Sequence, residues 1–199
     1  MCRDCRTLDK GPTVVENVLT PDEVRRVLAY CQSTNKWGEL IPEPRGPDQS
    51  FWEGRYVNCN NIEVLGVQYL MLYKRELIKK LIHIHYDAEL PLYSDMLQVV
   101  RWLKGYELRP HADNANPNGD PHNFPYREFA SVIYLNDDYK GGQVYFPQWE
   151  EPKMKPGSVC ISPGGLEHMH GVREVTEGVR YTIASFYTHD RMKADLHDR

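Results

Sequence analysis

The 199 residues are enough to bury a sizeable core and fit most economically into one domain, residues 1–199. With 41% hydrophobic and 26% charged residues, the composition is that of a soluble globular protein and excludes a disordered or membrane-embedded chain. A net charge of −4, with both signs scattered, leaves no basic footprint for nucleic acid. No run has the apolar length of a signal peptide core or a membrane span, so the expected setting is cytoplasmic, with no membrane partner. Five cysteines, an odd number at irregular spacing, argue against a disulfide framework. Cys2 and Cys5 form a lone C-x-x-C, too little for a zinc site without a second pair.

In chain order, a short β-branched run around Val14 leads into Thr20-Pro21-Asp22-Glu23, an N-cap followed by the elements of a capping box. A helix over about 21–33 follows. Residues 36–62, rich in Pro, Gly, Trp and Asn, read as an irregular connection with one or two short strands. Leu70, Leu77, Leu81 and Ile84 recur at helical spacing and predict a second, longer helix over about 63–86, with His83 and His85 as solvated residues near its C-terminus. From residue 95 the character changes to short β-branched and aromatic runs separated by Gly-Gly, Pro-Gly and Asn-Asp turns, the pattern of an antiparallel sandwich or barrel. The expected class is α+β, with a helical part over about 1–94 packed on the outside of a β-core over about 95–190.

One stretch at the edge of that core, Arg109-Pro110-His111-Ala112-Asp113, carries chemistry. In extended chain, residues i and i+2 point to one side, so His111 and Asp113 can address a single metal ion. A third ligand must come from elsewhere, and His168 and His170 are the candidates; they too are two apart, so parity does not choose between them. Two histidines and one carboxylate leave half of an ion's coordination positions open, as in non-haem Fe(II) oxygenases, and the same set can hold a catalytic zinc.

The runs LKGYELRPHAD, YREFASVIYLNDDYKGGQVYFP, KMKPGSVCISPGG and HGVREVTEGVRYTIASFY, in this order, resemble the Fe(II)/2-oxoglutarate dioxygenases of the prolyl 4-hydroxylase type. The opening VVENVLTPDEVRRVLAYC resembles that family's first strand and helix, and coverage is weakest over 36–62. The resemblance implies a double-stranded β-helix (jelly-roll) core. It also implies His111, Asp113 and His170 as iron ligands, since His170 is the histidine followed by Gly171-Val172 and, ten positions on, by Arg180. Arg180 would bind the distal carboxylate of 2-oxoglutarate, with Thr182 beside it on the same strand face. A planar guanidinium suits that role, because it can grip a carboxylate through two parallel hydrogen bonds. The implied reaction is hydroxylation of an unactivated C–H, with 2-oxoglutarate and O2 as cosubstrates and ascorbate as a reductant. The substrate would be a prolyl residue of a peptide, or an amino-acid-like small molecule.

Tyr126 and Arg127, closing the polar loop after Asp113, and Arg55, in the irregular segment with Trp52 and Tyr56, are the candidate substrate contacts; the last three could form a lid. Trp102 and Leu108 depart from the family, which often has a tyrosine and a second aromatic there. Two other readings stand beside the oxygenase. A non-catalytic metal-binding barrel, acting as a sensor or interaction module, would not need the full set of ligands and Arg180. A zinc hydrolase on the same ligands would leave Arg180 without a task; separately, Arg180 could pair with one of the protein's own acids, such as Asp113 or Glu107, instead of a cosubstrate.

Overall fold

A computed structural model describes residues 10–38 and 49–198; Cys2 and Cys5 lie outside them. After β1 (Thr13–Val15), α1 (Pro21–Ser33) starts as its sequence dictates. The Glu23 N–H donates to Thr20 Oγ1 at 3.3 Å, and the Thr20 N–H donates to the Glu23 carboxylate at 2.8 Å. Two donors that a helix start leaves unpaired are thereby satisfied. The described part of the irregular connection contains a four-residue helical turn, α2 (Gln49–Trp52), one short strand, β2 (Tyr56–Asn58), and a 3-10 turn (Cys59–Asn61). The long helix, α3 (Leu65–Tyr86), buries Val67, Met71, Ile78, Ile82 and Tyr86 along one face, the spacing that a 3.6-residue period requires. It ends where Asp87 turns into the left-handed region at φ 53°.

Nine strands follow: β3 (Tyr93–Trp102), β4 (Leu108–His111), β5 (Phe129–Tyr134), β6 (Lys140–Gly141), β7 (Val144–Tyr145), β8 (Val159–Pro163), β9 (His170–Val172), β10 (Val175–Glu177) and β11 (Arg180–Thr188). They form an antiparallel six-stranded sheet in the order β1-β8-β5-β11-β3-β2, a three-stranded sheet β4-β9-β7 and a β6-β10 ribbon. A cavity of about 480 Å³ lies between the two larger sheets, lined by β3, β5 and β11 from one and by β4, β7 and β9 from the other.

Strand alternation divides the labour of the large sheet. Met96, Gln98, Val100 and Trp102 of β3 line the cavity, as do Arg180, Thr182, Ala184 and Phe186 of β11. Leu97, Val99, Ile183 and Tyr187, one residue out of phase, join the main core with Val27 of α1 and Ile78 and Ile82 of α3. The Tyr86 hydroxyl reaches the carbonyl oxygens of Ile161 (2.8 Å) and Gly11 (3.0 Å). It thereby ties the end of α3 to β8 and to the residues before β1. Beyond β11, the carboxylates of Asp195 and Asp198 fold back onto Arg75 and Lys79 of α3, both cations being buried. Among the described residues no helix is long and apolar enough to cross a membrane.

Candidate active site

β4 and β9 pair so that His111 stands opposite His170. Asp113, two residues beyond the end of β4, is fixed by its own backbone: its N–H donates to the Gly164 carbonyl (2.9 Å), and the Gly164 N–H to the Glu128 carbonyl (2.8 Å). Gly164 permits this crossing because a Cβ there would lie 2.5 Å from the Arg127 carbonyl oxygen. His111 Nε2 comes 3.6 Å from Asp113 Oδ1, and His170 Nε2 comes 3.9 Å from Asp113 Oδ2. One donor atom from each of the three residues lies within 4.8 Å of the others.

The tautomers follow from the neighbours. His111 Nδ1 is 3.1 Å from the Arg109 carbonyl oxygen and His170 Nδ1 is 3.1 Å from that of His168. A carbonyl only accepts, so both Nδ1 atoms carry hydrogen and both Nε2 lone pairs face Asp113. Burial alone would raise the Asp113 carboxyl, but His170 and His111 outweigh it and hold the group below its ordinary value. Burial also pushes the His170 imidazole down, toward its neutral form. His111 moves the other way, because the neighbouring Asp113 carboxylate favours its charged form and overcomes the effect of burial. Asp113 Oδ2 is buried with no hydrogen-bond partner. An ionised oxygen so placed is costly unless a cation meets it. The donor set, its protonation and this orphaned atom therefore fit a divalent metal ion.

His168 points elsewhere. It is 2% exposed, its Nε2 donates to the Lys10 carbonyl oxygen at 2.8 Å, and its ring stacks on Trp149 at 5.8 Å. Of the two histidines that parity left open, His170 is the one assembled with His111 and Asp113.

Arg180 is 2% exposed and lines the same cavity. Its Nη2 donates to the Tyr134 hydroxyl at 2.7 Å, while Nε and Nη1 are buried without partners. Among the described residues no carboxylate lies within ion-pair distance of it, so neither Asp113 nor Glu107 neutralises it. Thr182, 1% exposed, lies two residues along β11 on the cavity side. A buried cation with two free donors fits an incoming carboxylate.

The candidate substrate contacts separate. Arg127 lines the cavity, clamped between the Phe124 and Phe186 rings (3.8 and 3.9 Å) and paired with Asp95 at 2.7 Å, its Nη2 left without a partner. Tyr126 packs against Lys193 and Phe124 and is not part of the lining. Trp52, Glu53 and Tyr56 line one wall, but Arg55 does not: it sits between the Phe51 and Tyr106 rings. Three neighbours escaped the sequence analysis: Tyr134 on Arg180, Asp95 on Arg127, and Phe146, whose ring lies 5.3 Å from that of His170. None of the three has a local signal: Tyr134, for one, comes beside Thr182 only through the register that aligns β5 with β11.

Comparison with known proteins defines the class. Residues 97–188 match the model of the 2OG-Fe(II) oxygenase superfamily. Mouse prolyl 3-hydroxylase 1 is 30% identical over 92% of this chain and 30% of its own length. The chicken protein of the same name is 24% identical over 89% of this chain and 29% of its own length. The chain thus spans less than a third of these curated relatives. Among solved structures, the viral collagen prolyl hydroxylase of Paramecium Bursaria Chlorella virus-1 matches with a TM-score of 0.65 at 12% identity, over 92% of this chain and 98% of that one. A Pseudomonas putida prolyl-4-hydroxylase matches with a TM-score of 0.63 at 18% identity, over 92% and 94%. Both share the fold, a double-stranded β-helix.

Proposed function

We propose that the protein is an Fe(II)- and 2-oxoglutarate-dependent hydroxylase acting on a prolyl residue or a closely similar amino-acid unit. The observation that carries this reading is the sharing of one cavity by the His111–Asp113–His170 cluster and a buried Arg180 that lacks an anion. In this reading the two imidazole Nε2 atoms and the Asp113 carboxylate hold the metal, leaving half of its positions to cosubstrates. When bound, ferrous iron with 2-oxoglutarate and O2 supplies the oxidising power that places one oxygen atom in a C–H bond of the substrate and the other in succinate, with release of carbon dioxide. Ascorbate as a reductant belongs to the same reading.

Arg180 would orient the cosubstrate by donating from Nε and Nη1 to its distal carboxylate, with Tyr134 and Thr182 completing the polar end of an otherwise apolar pocket. Arg127, its charge already met by Asp95, retains one free donor beside the aromatic wall and would hold a substrate carbonyl. Residues 1–199 are read as one such domain, its helical part buttressing the sheet that carries the cavity.

Anaerobic addition of Fe(II) and 2-oxoglutarate is expected to give a visible charge-transfer band. It should vanish in His170→Ala and survive in His168→Ala. Equal loss in the two variants would overturn the ligand assignment, and failure of a prolyl peptide or free amino acid to stimulate succinate release would overturn the substrate class.

A further inference from the structure

Arg55 has no place in the site above, yet its environment is unusual. It is 8% exposed, its Nη1 is buried without a hydrogen-bond partner, and its guanidinium lies 3.8 Å from the Phe51 ring centroid and 3.6 Å from that of Tyr106. Among the described residues no carboxylate pairs with it. Its third aromatic neighbour is Trp102, at 5.6 Å, and the Trp102 ring also lies 5.5 Å from the Arg180 guanidinium. Phe51 and Trp52 set their edges against that same indole, at 6.3 and 6.0 Å. One buried indole, 5% exposed, thus lies within 5.6 Å of two buried cations, neither of them neutralised by a carboxylate among the described residues.

Such an arrangement is expensive for an empty protein and favourable for a liganded one. Desolvated cations without anions cost free energy, and aromatic faces recover only part of it. A dicarboxylate seated on Arg180 would feel the field of both guanidinium groups. The tyrosine common at position 102 in the family resembled by the sequence has a smaller ring, whereas an indole reaches both cations.

We propose that Arg55 is a positioning residue for the carboxylate site. It acts through Trp102, adding a second positive charge behind Arg180 and fixing the wall against which the cosubstrate lies. The proposal rests on Arg180 being the carboxylate site, and the experiment separates the two claims.

Calorimetric titration of the anaerobic Fe(II)-loaded protein with 2-oxoglutarate needs no turnover. Arg55→Met and Arg55→Gln should each raise the Kd about tenfold, the effect of one charge at roughly 10 Å through an effective dielectric near 20. Arg55→Lys, which keeps the charge, should recover the affinity to within about threefold. Fe(II) affinity should stay unchanged in all three. Wild-type 2-oxoglutarate affinity in the neutral variants, or an Arg55→Lys protein as weak as they are, would overturn the proposal, since packing alone would not respond to charge. If neither neutral variant folds, Trp102→Phe replaces them: an unchanged Kd there is equally fatal. Wild-type binding by Arg180→Met would instead remove the carboxylate site itself.

Discussion

Gly164 shows how narrowly the ligands are set. Its carbonyl receives the Asp113 N–H, and the site of its missing side chain lies 2.5 Å from the Arg127 carbonyl oxygen and 3.4 Å from the Asp113 Cβ. Gly164→Ala must push these strands apart. We expect a loss of about 2 kcal/mol in stability, in the range for overpacking, together with a more than tenfold drop in Fe(II) affinity. Parallel thermal unfolding and metal titration would check it, and unchanged metal affinity would show that Asp113 is positioned by something else. At this scale the sequence was partly legible. The i, i+2 spacing of extended chain marks His111 and Asp113 as a pair, although β4 ends at His111 and the Gly164 carbonyl holds Asp113 in place. The choice between His168 and His170 does not follow from parity, because what removes His168 is a carbonyl 158 residues away, at Lys10, and the ring of Trp149.

Elements whose causes are local were read correctly. The capping box of α1 and the period of α3 depend on residues within a turn of each other, and both helices form within two residues of the expected bounds. What local patterns cannot contain is the clasp between α3 and the residues after β11. Asp198 accepts from Lys79 (2.5 Å) and from the Ser94 N–H (2.5 Å), and lies 3.4 Å from Arg75. Arg75 and Lys79 side chains are 3% and 8% exposed, and Asp198→Ala removes the carboxylate they share, leaving Lys79 with Glu76 alone at 3.0 Å. Removing one partner of a buried pair costs about 3 kcal/mol, which for a chain of this size lowers Tm by roughly 6–12 °C. Arg75 keeps Asp195, so a loss near the lower bound is expected from differential scanning calorimetry. A Tm unchanged within error would mean that the clasp contributes nothing.

The whole molecule shows the difference between recognising a fold and placing its chemistry. Alternation and turn signals announced an antiparallel β-half, but only long-range pairing brings β4 and β9 together and puts the triad opposite Arg180. Long-range pairing also makes one stability term depend on pH. His189, just past β11, donates from Nδ1 to the Glu128 carboxylate (2.5 Å) and from Nε2 to the Glu89 carbonyl (2.9 Å), joining three distant segments. Both ring nitrogens donate only in the imidazolium, and the bond to Glu128 raises the pKa above the ordinary value near 6.5. The native state therefore binds the proton more tightly than the unfolded chain. Its stabilisation is complete below about pH 6.5 and fades as pH rises through the raised native value. Urea midpoints of wild type and His189→Gln should differ most at the acid end of that window and converge above it; a gap constant with pH would refute this.

Because neighbouring residues of β3 and β11 look in opposite directions, the two strands keep separate ledgers of tolerance. Changes at 96, 98, 100, 184 and 186 reshape what the cavity admits, while the odd-numbered partners go on bearing the helices undisturbed. A library confined to those even positions would explore new substrates on a scaffold that scarcely notices, and the same diversity moved one step along the chain would yield mostly proteins that fail to fold.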